Sequence, residues 1–285
     1  FHHWLKNLLI FIPLIAAHKE VDAYTLNIMI IAFLSFNFAS SGVYIFNDIV
    51  DLENDKRHSS KKKRPLASGN FNKRFALSVF PLFYFISISL AMLINYDFLY
   101  ILSLYIILNK FYSLFFKRFI IIDCLMLASF YTLRIIAGSE AFVIELSFWL
   151  LTFSVFIFLS LAFIKRYVEL NERKNNSKST SYGRGYKTED KPLIINFGII
   201  SGYLSALIMA LYIQNDKVFE LYKQPEIIWL YVPCIIFWIS YIWTKAKRNE
   251  VSDDPIIFAL NDKISLYTGV IFITIFLAAT FGVNI

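Results

Sequence analysis

Nine largely apolar stretches fill most of this 285-residue sequence, at roughly 4–17, 25–46, 75–94, 97–115, 119–138, 146–164, 192–214, 226–244 and 264–281. A helix needs about 20 such residues to cross the hydrocarbon core of a bilayer, so each stretch is long enough, or nearly so, to do it. A soluble domain is excluded: with 58% hydrophobic and only 17% charged residues, it would have too little polar surface to face water. The expected fold class is all-α, a polytopic membrane protein of nine transmembrane helices. Residues 1–285 are read as a single integral membrane domain with cytoplasmic loops at about 47–74 and 165–191. The opening "FHHWLKNLLIFIPLIAA" lacks the small-residue cleavage site of a secretory signal and reads as a first membrane helix with residues missing upstream.

The charges sort the connections into two classes. Segments 47–74, 116–118, 165–191 and 245–263 together hold 22 Lys and Arg, whereas 18–24, 95–96, 139–145 and 215–225 hold 3. Basic residues are retained on the cytoplasmic side. The sequence therefore predicts an inner-membrane protein with its N-terminus and long polar loops in the cytoplasm and its C-terminus opposite. The net charge of +7 belongs to those loops, so nucleic acid is not an expected partner. Long loops gathered on one face mark the working end. Cys124 and Cys234 both lie in apolar runs and predict neither a disulfide framework nor a metal site.

Chemistry concentrates where the second apolar run ends, in "NDIVDLENDKRHSSKKKRPLASG", residues 47–69. Asp48, Asp51 and Asp55 stand at i, i+3 and i+7, within about 60° of one another on a continuing helix. Three like charges on one face repel unless a cation sits among them. Hard oxygen ligands suit Mg²⁺, which takes one or two carboxylates and leaves its other positions to water and substrate phosphates. A solvated loop in which Lys56, Arg57 and Lys61 to Arg64 neutralise the acids is the alternative. Asn47, the regular spacing and the basic tail favour a diphosphate site, with metal on the acids and phosphate oxygens on the bases.

Three further groups carry charge at unusual places. In "YSLFFKRFIIIDCLMLASFYTLRIIAG", residues 112–138, Asp123 and Arg134 fall inside a predicted span, three turns apart on one face. Charges at that depth are costly and face a cavity or each other. One reading sets Tyr112, Lys117, Asp123 and Arg134 around a polar substrate; the other is a structural ion pair with a neighbouring helix. In "KRYVELNERKNNSKSTSYGRGYKTEDK", residues 165–191, Arg166, Glu169 and Arg173 share a face beside Lys165. They suit a phosphate-bearing substrate, or an ordinary basic loop. In "SDDPIIFALNDKIS", residues 252–265, Asp253 and Asp254 before Pro255 read first as caps of a short helix, with Asp262 near the start of the last membrane helix.

With these motifs in view, the chain resembles the UbiA prenyltransferase superfamily of intramembrane enzymes: "NDIVDLEND" matches its N-D-x-x-D-x-x-x-D signature. The resemblance implies a nine-helix UbiA-type bundle with a cytoplasmic, Mg²⁺-dependent diphosphate site on Asp48, Asp51 and Asp55. Aromatic prenyltransferases of the family carry a second acidic D-x-x-x-D motif after the sixth helix, where this chain has "KRYVEL". "WLKN", "RHSSKKKRPLASG", "YSLFFK…D…LRIIAG", "KRYVEL" and "DDPIIFALND" are instead similar to the polyprenyl-phosphate phosphoribosyltransferase branch, with Lys56 where that branch usually has Arg and Ser59 where it usually has Pro. The resemblance implies 5-phosphoribosyl 1-diphosphate as donor, a polyprenyl phosphate as acceptor and diphosphate as product. Lys117 joins the three aspartates as a catalytic group. Asn47, Lys61, Arg64, Tyr112, Asp123, Arg134, Lys165, Arg166 and Glu169 are the substrate-binding candidates, with Lys117, Arg134, Lys165 and Arg166 around the 5-phosphate. The bilayer is the remaining partner, and an oligomer is left open. Prenyl transfer to an aromatic acceptor is the nearer rival, and a transporter or lipid-binding protein the more distant one.

Overall fold

The computed structural model describes residues 4–56, 61–174, 184–251 and 254–282, and of residues 61 and 172–174 the backbone alone. These residues form helices and turns with no strand. In chain order the helices are α1 (Ile12–Ala16), α2 (Ala23–Val50), α3 (Leu52–Lys56), α4 (Lys73–Ala91), α5 (Tyr96–Leu114), α6 (Ile122–Phe142), α7 (Phe148–Lys174), α8 (Lys191–Tyr212), α9 (Asp216–Leu221), α10 (Tyr231–Lys247), α11 (Pro255–Asn261) and α12 (Lys263–Phe281). Among the described residues eight helices are long and apolar enough to cross a membrane. The ninth expected span, 4–17, is a 3-10 helix, Trp4–Phe11, running into the five-residue α1, with Pro13 at the start of α1. A multi-pass membrane protein is the outcome, with a first segment wound more tightly than the rest.

Hydropathy marks the lipid, and helix propensity runs past it. Helix α7 continues ten residues beyond the predicted span end at 164, because "KRYVELNERK" is polar but contains no Gly or Pro to stop it. The first part of the expected 165–191 loop is therefore helix. Helix α2 begins at a cap where Asp22 accepts a hydrogen bond from the Thr25 backbone N–H at 2.7 Å, and hydrogen bonds from the Thr25 side chain and backbone hold the Asp22 carboxyl below its ordinary range. Its 28 residues span about 42 Å, so its last turns project past a ~30 Å hydrocarbon core. Those turns carry Asn47 and Asp48.

The chain groups into two compact units. The first comprises Phe1–Met126, Leu133–Leu146 and Tyr182–Gly185; the second comprises Leu127–Thr132, Ser147–Ser181 and Tyr186–Ile285. In the first, α2 is the central element, packed against α4, α5 and the Trp4–Phe11 segment. Ser35 and Ser87 tie α2 to α4 by donating to each other's backbone carbonyls at 2.9 and 2.8 Å. Phe36, Phe98 and Tyr105 interlock between α2 and α5. In the second, α7 packs along α8 and α10 against both. Trp243 donates its indole N–H to Ser160 Oγ at 3.0 Å across that group.

The C-terminus of α6 is closed by Val143 in the left-handed region, at φ 51°. A β-branched residue is strained there, whereas Gly adopts that conformation freely. Val143 is 83% exposed, so its side chain has little packing to lose. A Val143→Gly protein is expected to be more stable by about 1 kcal/mol, read as a higher melting temperature in detergent.

Candidate functional site

The acidic motif lies where α2 gives way to α3. Asp51 sits between the two helices at φ −90°, ψ 2°, yet its N–H still reaches Asn47 O and the Asp55 N–H reaches Asp51 O, both at 2.8 Å. The helical screw is thus continuous from Asn47 to Asp55, which keeps Asp48, Asp51 and Asp55 on one side. Arg64 Nη1 donates to Asp48 Oδ1 at 2.7 Å and to Asp55 Oδ2 at 2.8 Å. Lys117, from the 3-10 turn Phe116–Arg118, donates to Asp51 Oδ1. Asp55 and Lys117 are each only 5% exposed. The fourth acid of the motif, Glu53, is exposed and pairs with Lys56 at 2.9 Å, an arrangement that contributes little.

The three aspartates therefore do not form one three-carboxylate group. Among the described residues no set of three His, Cys, Asp or Glu comes together as a metal centre. Like charges at this spacing repel, and two cations divide them: Arg64 takes Asp48 and Asp55, Lys117 takes Asp51. The donor chemistry still fits Mg²⁺. Asp48 and Asp55 bring oxygens to within 2.8 Å of one point, where a guanidinium nitrogen now sits. A hard cation there would have two carboxylates, the number that Mg²⁺ ordinarily takes from protein.

Tyr112 and Asp123 form a second pair close in sequence to Lys117. The Tyr112 hydroxyl donates to Asp123 Oδ1 at 2.7 Å, and Asp123, wholly buried, lies in the first turn of α6, where the helix dipole favours a carboxylate. The residue before that helix, Ile121, is held at φ 66°, a strained conformation for a β-branched side chain beside a candidate site residue.

Arg134 is placed elsewhere. Eleven residues at 1.5 Å each put it about 16 Å from Asp123 along α6, too far for the two to pair. Its Nε donates to Asn7 Oδ1 at 2.8 Å and its Nη2 to the Tyr105 hydroxyl at 2.9 Å, with the guanidinium 4.8 Å from the Tyr105 ring centre. Asn7 in turn donates to Asn37 Oδ1 at 2.6 Å and accepts from Ser40 at 3.3 Å. This buried polar network was not assembled by sequence reasoning. The signal was the run "LSFNFASSG" in α2, where Ser35, Asn37 and Ser40 stand inside a span that lipid contact alone would have kept apolar.

In the second unit, Lys165, Arg166 and Glu169 lie on α7, where buried Arg166 donates to Glu169 one turn on. Past them, Asn171 accepts from Lys191 at 2.6 Å and donates to Asn249 at 2.9 Å, joining the ends of α7, α8 and α10. Asp254 caps α11 and Asp262 caps α12, accepting from the backbone N–H of Ile256 and Ser265. Asp253, Arg57, Ser59 and the side chains of Lys61 and Arg173 lie outside the described residues.

A family model described as the UbiA prenyltransferase family matches residues 8–254. Among curated relatives, the uncharacterised protein y4nM of Sinorhizobium fredii is 36% identical over 98% of this chain, which spans 54% of that protein's length. Nodulation protein NoeC of Azorhizobium caulinodans is 30% identical over 93% of this chain and 86% of its own. Decaprenyl-phosphate phosphoribosyltransferase of Corynebacterium glutamicum is 33% identical over 59% of this chain and 52% of its own. The chain thus spans about half the length of the first and third of these. Among solved structures, a UbiA homologue from Archaeoglobus fulgidus bound to DMAPP and Mg²⁺ superposes with a TM-score of 0.72 at 16% identity, over 99% of this chain and 96% of that one.

Proposed function

The chain belongs to the UbiA prenyltransferase family, and from that membership we propose that it transfers the 5-phosphoribosyl group of 5-phosphoribosyl 1-diphosphate to a polyprenyl phosphate. The bond from ribose C1 to the diphosphate oxygen breaks, a bond from C1 to an oxygen of the lipid phosphate forms, and diphosphate leaves. The observation that carries the reading is the convergence of Asp48 and Asp55 on one cationic nitrogen of Arg64, with Lys117 on Asp51 beside them. Acids that can hold a metal and bases that can hold phosphate oxygens meet at one place. The likeness to decaprenyl-phosphate phosphoribosyltransferase supports this donor over a prenyl diphosphate, as does "KRYVEL" standing where a second acidic motif would be.

Each group then has a task. Asp48 and Asp55 would hold Mg²⁺, with Asp51 beside them, and the ion, when bound, would supply positive charge at the diphosphate. Arg64 and Lys117 hold phosphate oxygens and neutralise the leaving group. Tyr112 and Asp123 orient the sugar, since a buried carboxylate fixed by a phenol is a fit acceptor for ribose hydroxyls. Because the attacking lipid phosphate is already anionic, no strong general base is needed, and the rate comes from positioning and charge stabilisation. The acidic end of α2 faces the cytoplasm, which the 22-to-3 partition of Lys and Arg supports.

The test is turnover by purified protein in detergent with radiolabelled phosphoribosyl diphosphate, a polyprenyl phosphate and Mg²⁺. A labelled lipid formed only with the metal is the expected result. Failure to form it, together with transfer from a prenyl diphosphate to an aromatic acid, would assign the protein to the aromatic branch instead.

A further inference from the structure

Arg64 occupies the one point where two carboxylates of the acidic motif converge. A divalent cation and this guanidinium cannot both sit there. Resting on the diphosphate reading above, we propose that Arg64 is a displaceable latch, so that a divalent cation is accepted at Asp48 and Asp55 together with a diphosphate and poorly without one.

The reason is charge balance. Arg cannot shed its proton, so on leaving the carboxylates it exchanges two charge-assisted hydrogen bonds for water unless another anion receives it. Asp55 is almost fully buried, which makes an unbalanced exchange at its oxygen costly. A bare cation that displaces Arg64 satisfies the acids but must outcompete two charge-assisted hydrogen bonds that the guanidinium does not recover from water. A diphosphate removes that deficit, because its oxygens match the two-pronged donor geometry of a guanidinium. The carboxylates then pass to the metal and Arg64 passes to the diphosphate, with every charge still paired.

The local structure permits this as a side-chain movement. Arg64 opens a closed turn in which the Ser68 N–H reaches its carbonyl at 2.8 Å and the Phe71 N–H reaches Pro65 O at 3.0 Å. The following Pro65 further restricts the backbone. The Arg64 side chain is 37% exposed, so it has solvent to turn into. Coupling of this kind is reciprocal: the cation raises affinity for diphosphate by the factor by which diphosphate raises affinity for the cation. It also has a functional consequence, since a site that rejects bare metal stays closed to non-productive cations until the donor arrives.

The experiment is Mn²⁺ binding followed by the electron paramagnetic resonance of the free ion, with and without inorganic diphosphate, on the parent, Arg64→Gln and Lys63→Gln. Lys63 is a neighbouring exposed lysine of the same charge. Arg64→Gln is expected to bind Mn²⁺ alone about tenfold more tightly than the parent, and the Mn²⁺–diphosphate pair about tenfold more weakly. Lys63→Gln is expected to change either by less than about twofold. Should Arg64→Gln fail to yield folded protein, Arg64→Lys, with a shorter single-pronged donor, is expected to tighten Mn²⁺ alone about threefold. Equal tightening in the Arg64 and Lys63 variants would reduce the effect to general charge and overturn the latch, leaving the metal site intact. Absence of Mn²⁺ binding in every protein, even with diphosphate present, would overturn the diphosphate reading and the latch with it.

Discussion

An Asp51→Asn protein is expected to make labelled lipid about 10²- to 10³-fold more slowly than the parent, a loss of roughly 3–4 kcal/mol in transition-state stabilisation. The substitution keeps shape and removes one charge. In the proposed chemistry that charge fixes Lys117 and adds to the field that holds the metal, so its loss acts on the leaving group. The same change also leaves Lys117, 5% exposed, without the carboxylate it donates to. Some loss of stability is therefore expected too, up to about 3 kcal/mol for a broken, largely buried pair. A second substitution separates the effects. Asp51→Asn with Lys117→Met removes both partners, so its melting temperature should return toward the parent value while turnover stays at least as slow as in Asp51→Asn. Turnover that recovered along with stability would make the pair structural and remove Asp51 from the chemistry. Glu53→Gln, in the same motif but exposed and paired one turn away with Lys56, should leave the rate within about twofold.

The outcome at Asp51 bears on how much of such a site a sequence can reveal. Spacing placed Asp48, Asp51 and Asp55 on one side, and the unbroken hydrogen bonds through Asp51 and Asp55 keep them there. Spacing also marked Lys117, Tyr112 and Asp123 as polar residues near the end of a span. What it could not supply was partnership across the chain. That Arg64 takes both Asp48 and Asp55, sixteen and nine residues away, depends on a turn whose closure is set by Ser68 and Phe71. Arg134 shows a different limit. Helical periodicity puts it on the same face as Asp123, but period gives an angle and not a height, and about 16 Å of rise separates them. The spans were legible for the opposite reason: crossing lipid is a property of composition, summed over twenty residues. Helix α8, expected at 192–214, is Lys191–Tyr212, and α12, expected at 264–281, is Lys263–Phe281. Where composition and helix formation part company, as in the polar extension of α7, hydropathy alone stopped too early.

The network around Arg134 yields the prediction with the largest effect on stability. A Gly138→Ala protein is expected to lose about 3–5 kcal/mol, from overpacking and from loosened hydrogen bonds in the span. A Cβ at Gly138 would lie 2.0 Å from Ile10 O and 2.8 Å from its carbonyl carbon. Both are backbone atoms, so no side chain can turn aside and the Trp4–Phe11 segment itself must shift. That segment carries Asn7, whose Oδ1 receives Arg134 Nε and Ser40 Oγ and whose Nδ2 holds Asn37. A displacement of about 1 Å stretches a 2.8 Å hydrogen bond beyond useful range, so a packing fault becomes an electrostatic one around a buried cation. At roughly 2–4 °C per kcal/mol, the melting temperature in detergent should fall by about 10 °C. Gly269→Ala is the internal contrast: nothing lies within 4 Å of its added Cβ, and in the middle of α12 alanine should be neutral or slightly stabilising. If Gly138→Ala melted with the parent, the tight seat of the first segment on α6 would be wrong, and so would the route by which Asn7 reaches Arg134. If it melted early while its remaining folded fraction kept full turnover, the network would be a structural brace for the first segment, separate from the acidic end of α2.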